Sequence, residues 1–305
     1  MTFKRRLAGA VAALVVVVGC GPPNAARAQT PETAAEPLDL IPWAPSVAPP
    51  ADDEKIDDTP AWRRFAVAPP AAAEGAPMSA LLIDDMGEAL AWTQRAMALP
   101  GPLTMSFFPH AEDLAEQAEA ARAAGHEVML HLPMQPDDDG EDPGPNPLIL
   151  GLDEIELDRR IMAMLDSFTG YVGVNNHMGS RFTRDWSAME QVLGRVGQRG
   201  LLFVDSRTAA ESVGESVARD LKVPALRRDV FIDHDGDPVE IAKRLAELET
   251  LARERGFAIG IAHPRPQTMD ALEAWLPQAV ARGIVLAPIS AVIGRGQGVN
   301  FAAAP

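Results

Sequence analysis

Between Met78 and Ile293, short apolar runs alternate with amphipathic stretches of ten to twenty residues, the texture of repeated βα units. The apolar runs predict strands over Ser79–Ile83, Leu103–Phe108, Glu127–His131, Tyr171–Asn175, Leu201–Val204, Val230–Ile232, Ala258–Ile261 and Val285–Pro288. The amphipathic stretches predict helices over Ala111–Ala124, Asp153–Ser167, Ser187–Gln198, Pro238–Arg255 and Thr268–Ala281. In the second of these, Ile155, Leu157, Ile161, Met162 and Leu165 form the apolar stripe. Eight such repeats in about 215 residues suit an α/β fold closed into a (β/α) barrel better than an open doubly wound sheet. Hydropathy alone leaves the open sheet standing.

The flanks read differently. A basic start, Met1 to Arg6, precedes a 13-residue apolar run from Leu7 to Gly19, the pattern of an export signal too short to span a bilayer. Ala26-Arg27-Ala28 fits cleavage before Gln29; Val17-Val18-Gly19-Cys20 instead resembles a lipobox that would leave a lipid anchor on Cys20. Either reading sends the chain to the periplasm or cell envelope, with no transmembrane segment in the mature protein. The expected order is a signal at 1–28, a disordered Pro/Ala-rich linker at 29–77, the barrel at 78–293 and a flexible tail at 294–305. Cys20 is the only cysteine, so no intramolecular disulfide forms. With 27 basic against 43 acidic residues and a net charge of −16, the chain suits neither nucleic acid nor an anionic lipid surface.

Polar residues recur where the expected strands end. The first ends in Asp84-Asp85, the third in His131, the fourth in Asn175-Asn176-His177, the fifth in Asp205-Ser206-Arg207, the sixth in Asp233-His234 and the seventh in His263. Active residues of a barrel gather at those ends. Any one of these histidines alone reads as a satisfied structural group, but four of the six fall at strand ends. His110 and His126 read as loop or surface residues, and Trp186 and Trp275 as packing residues. Asp84-Asp85 is open to two readings: a pair of carboxylates dividing cation binding and proton transfer, or an N-cap for the next helix. Asp and His together form a ligand set for Zn²⁺ or a similar divalent ion that activates water, which suits hydrolysis of an amide or ester. No G-x-S-x-G elbow, catalytic cysteine or phosphate-binding glycine loop is present.

Several segments carry a family resemblance: Ile83-Asp-Asp-Met-Gly, Gly125-His-Glu-Val leading into His131-Leu-Pro-Met-Gln-Pro, Gly173-Val-Asn-Asn-His-Met-Gly-Ser, Phe203-Val-Asp-Ser-Arg-Thr, Arg228-Asp-Val-Phe-Ile-Asp and Ile261-Ala-His-Pro. Together they resemble the divergent polysaccharide deacetylases of the NodB-like superfamily. The resemblance implies a distorted NodB-like (β/α)7-8 barrel, a divalent metal such as Zn²⁺, and a polysaccharide or peptidoglycan-like glycan as substrate. It implies Asp85 and His131 as metal ligands, Asp84 as catalytic base, His263 as general acid, and Asp205 as the carboxylate that orients the catalytic pair.

Two departures stand out. Gln135 occupies the place of the second metal-binding histidine, so His177 is expected to supply the third ligand, the alternative being a hydrogen bond within its tight turn. The usual Arg-Pro segment of the fourth strand is replaced by Asn175-Asn176-His177. Asn176, Arg207 and Asp233 are expected on the substrate-binding rim, with Arg207 alternatively paired to Asp205. Gln135 also keeps a second function open, a barrel without turnover that binds glycan or an envelope protein. Hydrolysis of a glycosidic bond by paired carboxylates fits the histidine-rich ends poorly.

Overall fold

The computed structural model describes residues 59–73 and 75–296. The expected export signal, the Cys20 anchor, the linker up to residue 58 and the tail beyond 296 lie outside the described residues.

In chain order the elements are α1 (Ala61–Arg64), β1 (Met78–Met86), α2 (Leu90–Met97), β2 (Thr104–Phe107), α3 (Leu114–Ala123), β3 (Glu127–Met134), α4 (Glu154–Leu165), β4 (Gly173–Met178) and α5 (Trp186–Gln198). Then come β5 (Leu202–Asp205), α6 (Gly214–Asp220), β6 (Ala225–Arg227), β7 (Val230–Phe231), α7 (Pro238–Arg255), β8 (Phe257–Ala262), α8 (Pro266–Ala281), β9 (Val285–Leu286) and α9 (Ile289–Gly296). Local chemistry sets several boundaries. Asp153 caps α4 through the Glu156 N–H and Asp185 caps α5 through the Ala188 N–H, each at 2.8 Å. Asp237 caps α7, Pro238 opens it, and Gly256 ends it in the left-handed conformation at φ 86°.

The strands run parallel in the order β6-β5-β4-β3-β2-β1-β8-β7, with β9 paired to the lower end of β1. This curled sheet with its helices is the distorted barrel expected from the sequence. It stays open between β6 and β7, which are neighbours in the chain yet share no ladder. The chain crosses that seam with the Arg228 N–H on the Asp205 carbonyl and the Asp229 N–H on the Ile259 carbonyl, each at 2.9 Å.

The pleat sorts side chains between two apolar layers. Leu81, Ile83, Met105, Leu130 and Phe203 pack against the helices. Ala80, Leu82, Met129, Leu202, Val204, Ile259 and Ile261 form the inner layer, which Trp62 of α1 joins with Ile289, Val292 and Ile293 of α9. The expected linker is therefore not linker throughout. Trp62 is only 3% exposed, because an aromatic ring within the Pro/Ala-rich stretch has a cavity to fill. The tail is likewise helical as far as Gly296.

Beside this inner layer lies a buried acid, Glu127. Its carboxylate accepts hydrogen bonds from Thr104 Oγ1 (3.2 Å) and from the Ser290 N–H (3.1 Å) and hydroxyl. Burial outweighs these bonds and pushes the carboxyl up to about 7.

Candidate metal and catalytic site

The inner face of the sheet carries the chemistry at its upper end. On β1, Ala80, Leu82 and Asp84 share one face, so Asp84 follows the pleat into the cavity. Asp85 would by alternation face the helices. Its φ of 55° and a register break between Ile83 and Met86 swing its carboxylate back. Asp tolerates this left-handed conformation better than most residues. Gly87 completes the bend at φ 101°, where a Cβ would stand 2.4 Å from Ala111 Cβ. The N-cap reading of the pair fails, since α2 begins at Leu90 behind Ala89 with no side-chain cap.

Both carboxylates meet one imidazole. His131 Nε2 lies 3.4 Å from Asp85 Oδ1 and 3.7 Å from Asp84 Oδ2. His177 Nδ1 lies 3.1 Å from Asp85 Oδ1 and 3.2 Å from His131 Nε2. Asp85, His131 and His177 thus form a candidate metal-binding group. Its edges of 3.1, 3.2 and 3.4 Å approach the roughly 3.3–3.4 Å between ligand atoms set 2.0–2.1 Å from a tetrahedral ion. Asp85 Oδ1 is moreover buried with no hydrogen-bond partner. A buried acceptor left bare while two ring nitrogens crowd it fits a shared cation. Phe108 packs on both rings, 5.2 Å from His131 and 4.8 Å from His177 between centroids.

His263, from the end of β8, presents Nε2 at 3.9 Å from Asp85 Oδ2. Its Nδ1 sits 2.9 Å from Asp233 Oδ1, while Asp233 Oδ2 accepts the His263 N–H at 2.8 Å and the Thr268 hydroxyl at 2.9 Å. Asn175 lies between Asp84 and His131. Its amide nitrogen donates to both Asp84 oxygens (2.9 and 3.0 Å) and to Ser206 Oγ (3.1 Å). Its oxygen accepts from Ser106 Oγ at 2.5 Å and faces His131 Nδ1 at 3.0 Å.

These contacts divide the titrations. Burial raises the Asp84 carboxyl above the usual range, against the nearby His131 and His263. Burial also disfavours charge on Asp85, but His131 and His177 pressed against it hold it far below that range. Burial lowers His263, yet the hydrogen bond and charge of Asp233 outweigh it and leave the imidazole raised.

Three expected placements change. Asp205 does not reach the catalytic pair. It follows Val204 on the outward side of β5, and its carboxylate accepts from the Arg207 N–H (2.8 Å) and Ser212 Oγ (2.6 Å). The carboxylate against His263 is Asp233, which is fully buried and so does not stand on the rim. Asn176 is turned outward as well, bracing Ser206 N–H and the Met178 carbonyl. Arg207 is exposed at the rim and contacts Asp205 only through its main chain. Gln135 spends its side-chain oxygen on the Leu150 N–H. Asn175, Ser106 and Ser206 carried no assigned role in the sequence, although the alternation that points His177 and Val204 inward includes them.

The family model of the divergent polysaccharide deacetylases matches residues 81–293. An uncharacterised protein of Haemophilus influenzae (strain Rd) is 31% identical over 199 residues, covering 65% of this chain and 70% of its own length. The uncharacterised protein YibQ of Escherichia coli K12 is 31% identical over 195 residues, 64% of this chain and 60% of that one. The crystal structure of an uncharacterised protein from Agrobacterium tumefaciens C58 superposes with a TM-score of 0.74 at 30% identity, covering 78% of this chain and 97% of that one. The family match takes in the described barrel from β1 to α9 with the candidate site residues inside it, and the chain belongs to the divergent polysaccharide deacetylase family.

Proposed function

We propose that this protein is an exported, divalent-metal-dependent hydrolase that removes N- or O-acetyl groups from an envelope polysaccharide or peptidoglycan-like glycan. The observation that carries the reading is the convergence of Asp85, His131 and His177, with Asp84 and His263 flanking them. Family membership supplies the substrate class, and the basic-then-apolar leader with its lipobox-like Cys20 supplies the export.

Asp85, His131 and His177 would hold the ion, with Zn²⁺ the best match to one carboxylate and two imidazoles. When bound it supplies Lewis acidity, easing ionisation of a water and polarising the acyl oxygen. Asp84, made more basic by burial and oriented by the Asn175 amide, takes the proton of the attacking water. His263, fixed at Nδ1 by Asp233, offers Nε2 to the cavity and protonates the departing amine or alkoxide. Phe108 covers the two ligand rings and limits water from that side.

The test begins with elemental analysis of the purified protein and of His131→Ala and His177→Ala. Near-stoichiometric zinc lost in both variants is expected; zinc retained by His177→Ala refutes that ligand. Acetate release from acetylated chito-oligosaccharides should vanish in Asp84→Asn. Zinc and glycan binding without any acetate release would replace the enzyme by a glycan-binding barrel.

A further inference from the structure

We propose that Asn175 is the positioning residue that couples the two halves of the site. Its oxygen holds His131 in the tautomer that bares Nε2 toward Asp85 and His177, while its amino group holds Asp84. The inference rests on the metal-hydrolase reading, but its readouts are separable from activity.

Donor and acceptor arithmetic makes the case. A primary amide has two N–H donors and two oxygen lone pairs. Here the donors serve Asp84 and Ser206 Oγ, and the oxygen serves Ser106 Oγ and His131 Nδ1. The amide is fully buried and has no spare capacity. Turned over, it would set its oxygen lone pairs about 3 Å from the Asp84 carboxylate oxygens, so Asp84 fixes the observed orientation. Because the oxygen can only accept, His131 Nδ1 must carry the hydrogen. The neutral ring then has its lone pair on Nε2, the atom 3.2 Å from His177 Nδ1 and 3.4 Å from Asp85 Oδ1.

One side chain on β4 therefore ties Asp84 of β1, Ser106 of β2, His131 of β3 and Ser206 beyond β5. Neither obvious replacement reproduces it. Leu fills the space but neither donates nor accepts, and Asp can hold His131 but sets a second carboxylate about 3 Å from Asp84, where the amide now donates. Groups of this kind, which orient a ligating imidazole, typically account for 10–100-fold in metal affinity.

The experiment uses the full chain labelled with ¹⁵N-histidine, with and without zinc, at alkaline pH. Long-range ¹H–¹⁵N spectra, assigned with His131→Ala, should show His131 as Nδ1–H, bound through Nε2 when zinc is present. In Asn175→Leu the ring should shift toward Nε2–H, and zinc affinity measured by chelator competition should fall 10–100-fold with the circular dichroism spectrum retained. Wild-type His131 found as Nε2–H overturns the proposal, as does wild-type zinc affinity in Asn175→Leu. If Asn175→Leu does not fold, Asn175→Ala decides: a shift toward Nε2–H with weakened zinc binding supports the amide's role, and an unmoved ring with unchanged affinity overturns it. A wild-type chain that keeps Nδ1–H yet takes up no zinc defeats the metal-hydrolase reading while leaving the hold of Asn175 on His131 supported.

Discussion

Glu127→Gln isolates one buried carboxyl far from the candidate metal ligands in the fold. In the folded chain Glu127 titrates at about 7, against 4.5 for an unperturbed glutamate. The folded pKa is raised, so the group contributes no penalty below pH 4.5, where both states hold the proton. Between 4.5 and 7 the unfolded chain releases the proton while the folded chain keeps it, and stability falls as pH rises. The slope is about 1.4 kcal/mol per pH unit, which over this window amounts to roughly 3 kcal/mol. Gln keeps an oxygen for the Ser290 and Thr104 donors and never ionises.

The quantity to measure is the stability difference between variant and wild type, from urea unfolding followed by far-ultraviolet circular dichroism with a chelator present. Taking the difference cancels the titration of His131, His263 and the other shared groups. It should shift by roughly 3 kcal/mol in favour of the variant between pH 4.5 and pH 8, most of it between 5 and 7. A difference that stays constant to within about 0.5 kcal/mol would show that Ser290 and Thr104 solvate the carboxylate fully, refuting burial as the dominant influence.

Asp233→Asn should lower kcat for acetate release by about 10–1,000-fold with zinc content unchanged, because it frees the His263 ring without touching Asp85, His131 or His177; loss of zinc together with activity would place Asp233 in the ligand set instead. Trp62→Ala should cost about 3–5 kcal/mol by emptying the inner layer beneath the barrel, read as a lower urea midpoint, and a change below about 1 kcal/mol would return α1 to the linker. Gly87→Ala combines a φ of 101° with a Cβ 2.4 Å from Ala111, so about 2–4 kcal/mol of destabilisation is expected. Unchanged thermal unfolding of Gly87→Ala would mean that the bend after Asp85 is not rigid.

The elements that were legible in the sequence carry their own punctuation. The predicted span of α7 coincides with the observed Pro238–Arg255 because Asp237, Pro238 and Gly256 mark both ends. By contrast β6 has three residues, none of them buried, and offers no periodic signal. Buried on nearly every side, α9 shows no polar face to separate a helix from an apolar run. The Pro/Ala-rich composition around Trp62 likewise hid a residue whose place is decided by a distant cavity.

Within the site the pleat is the better guide than position in a motif. Asp84, Ser106, His131, Asn175, His177, Ser206 and His263 each keep the parity of an inner-layer residue or ladder partner on their own strand, while Asp205 and Asn176 fall one residue out of phase and turn away. Alternation alone would have removed Asp205 and Asn176 and raised Asn175. It would also have removed Asp85, the residue on which the ligand group depends. Asp85 reaches His131 and His177 only because its backbone leaves the β region, at a cost of order 1–3 kcal/mol. The sequence could show two adjacent carboxylates after an apolar strand, but the turn that brings both into one cavity depends on the packing of Gly87 against Ala111 and on the imidazoles waiting across the sheet.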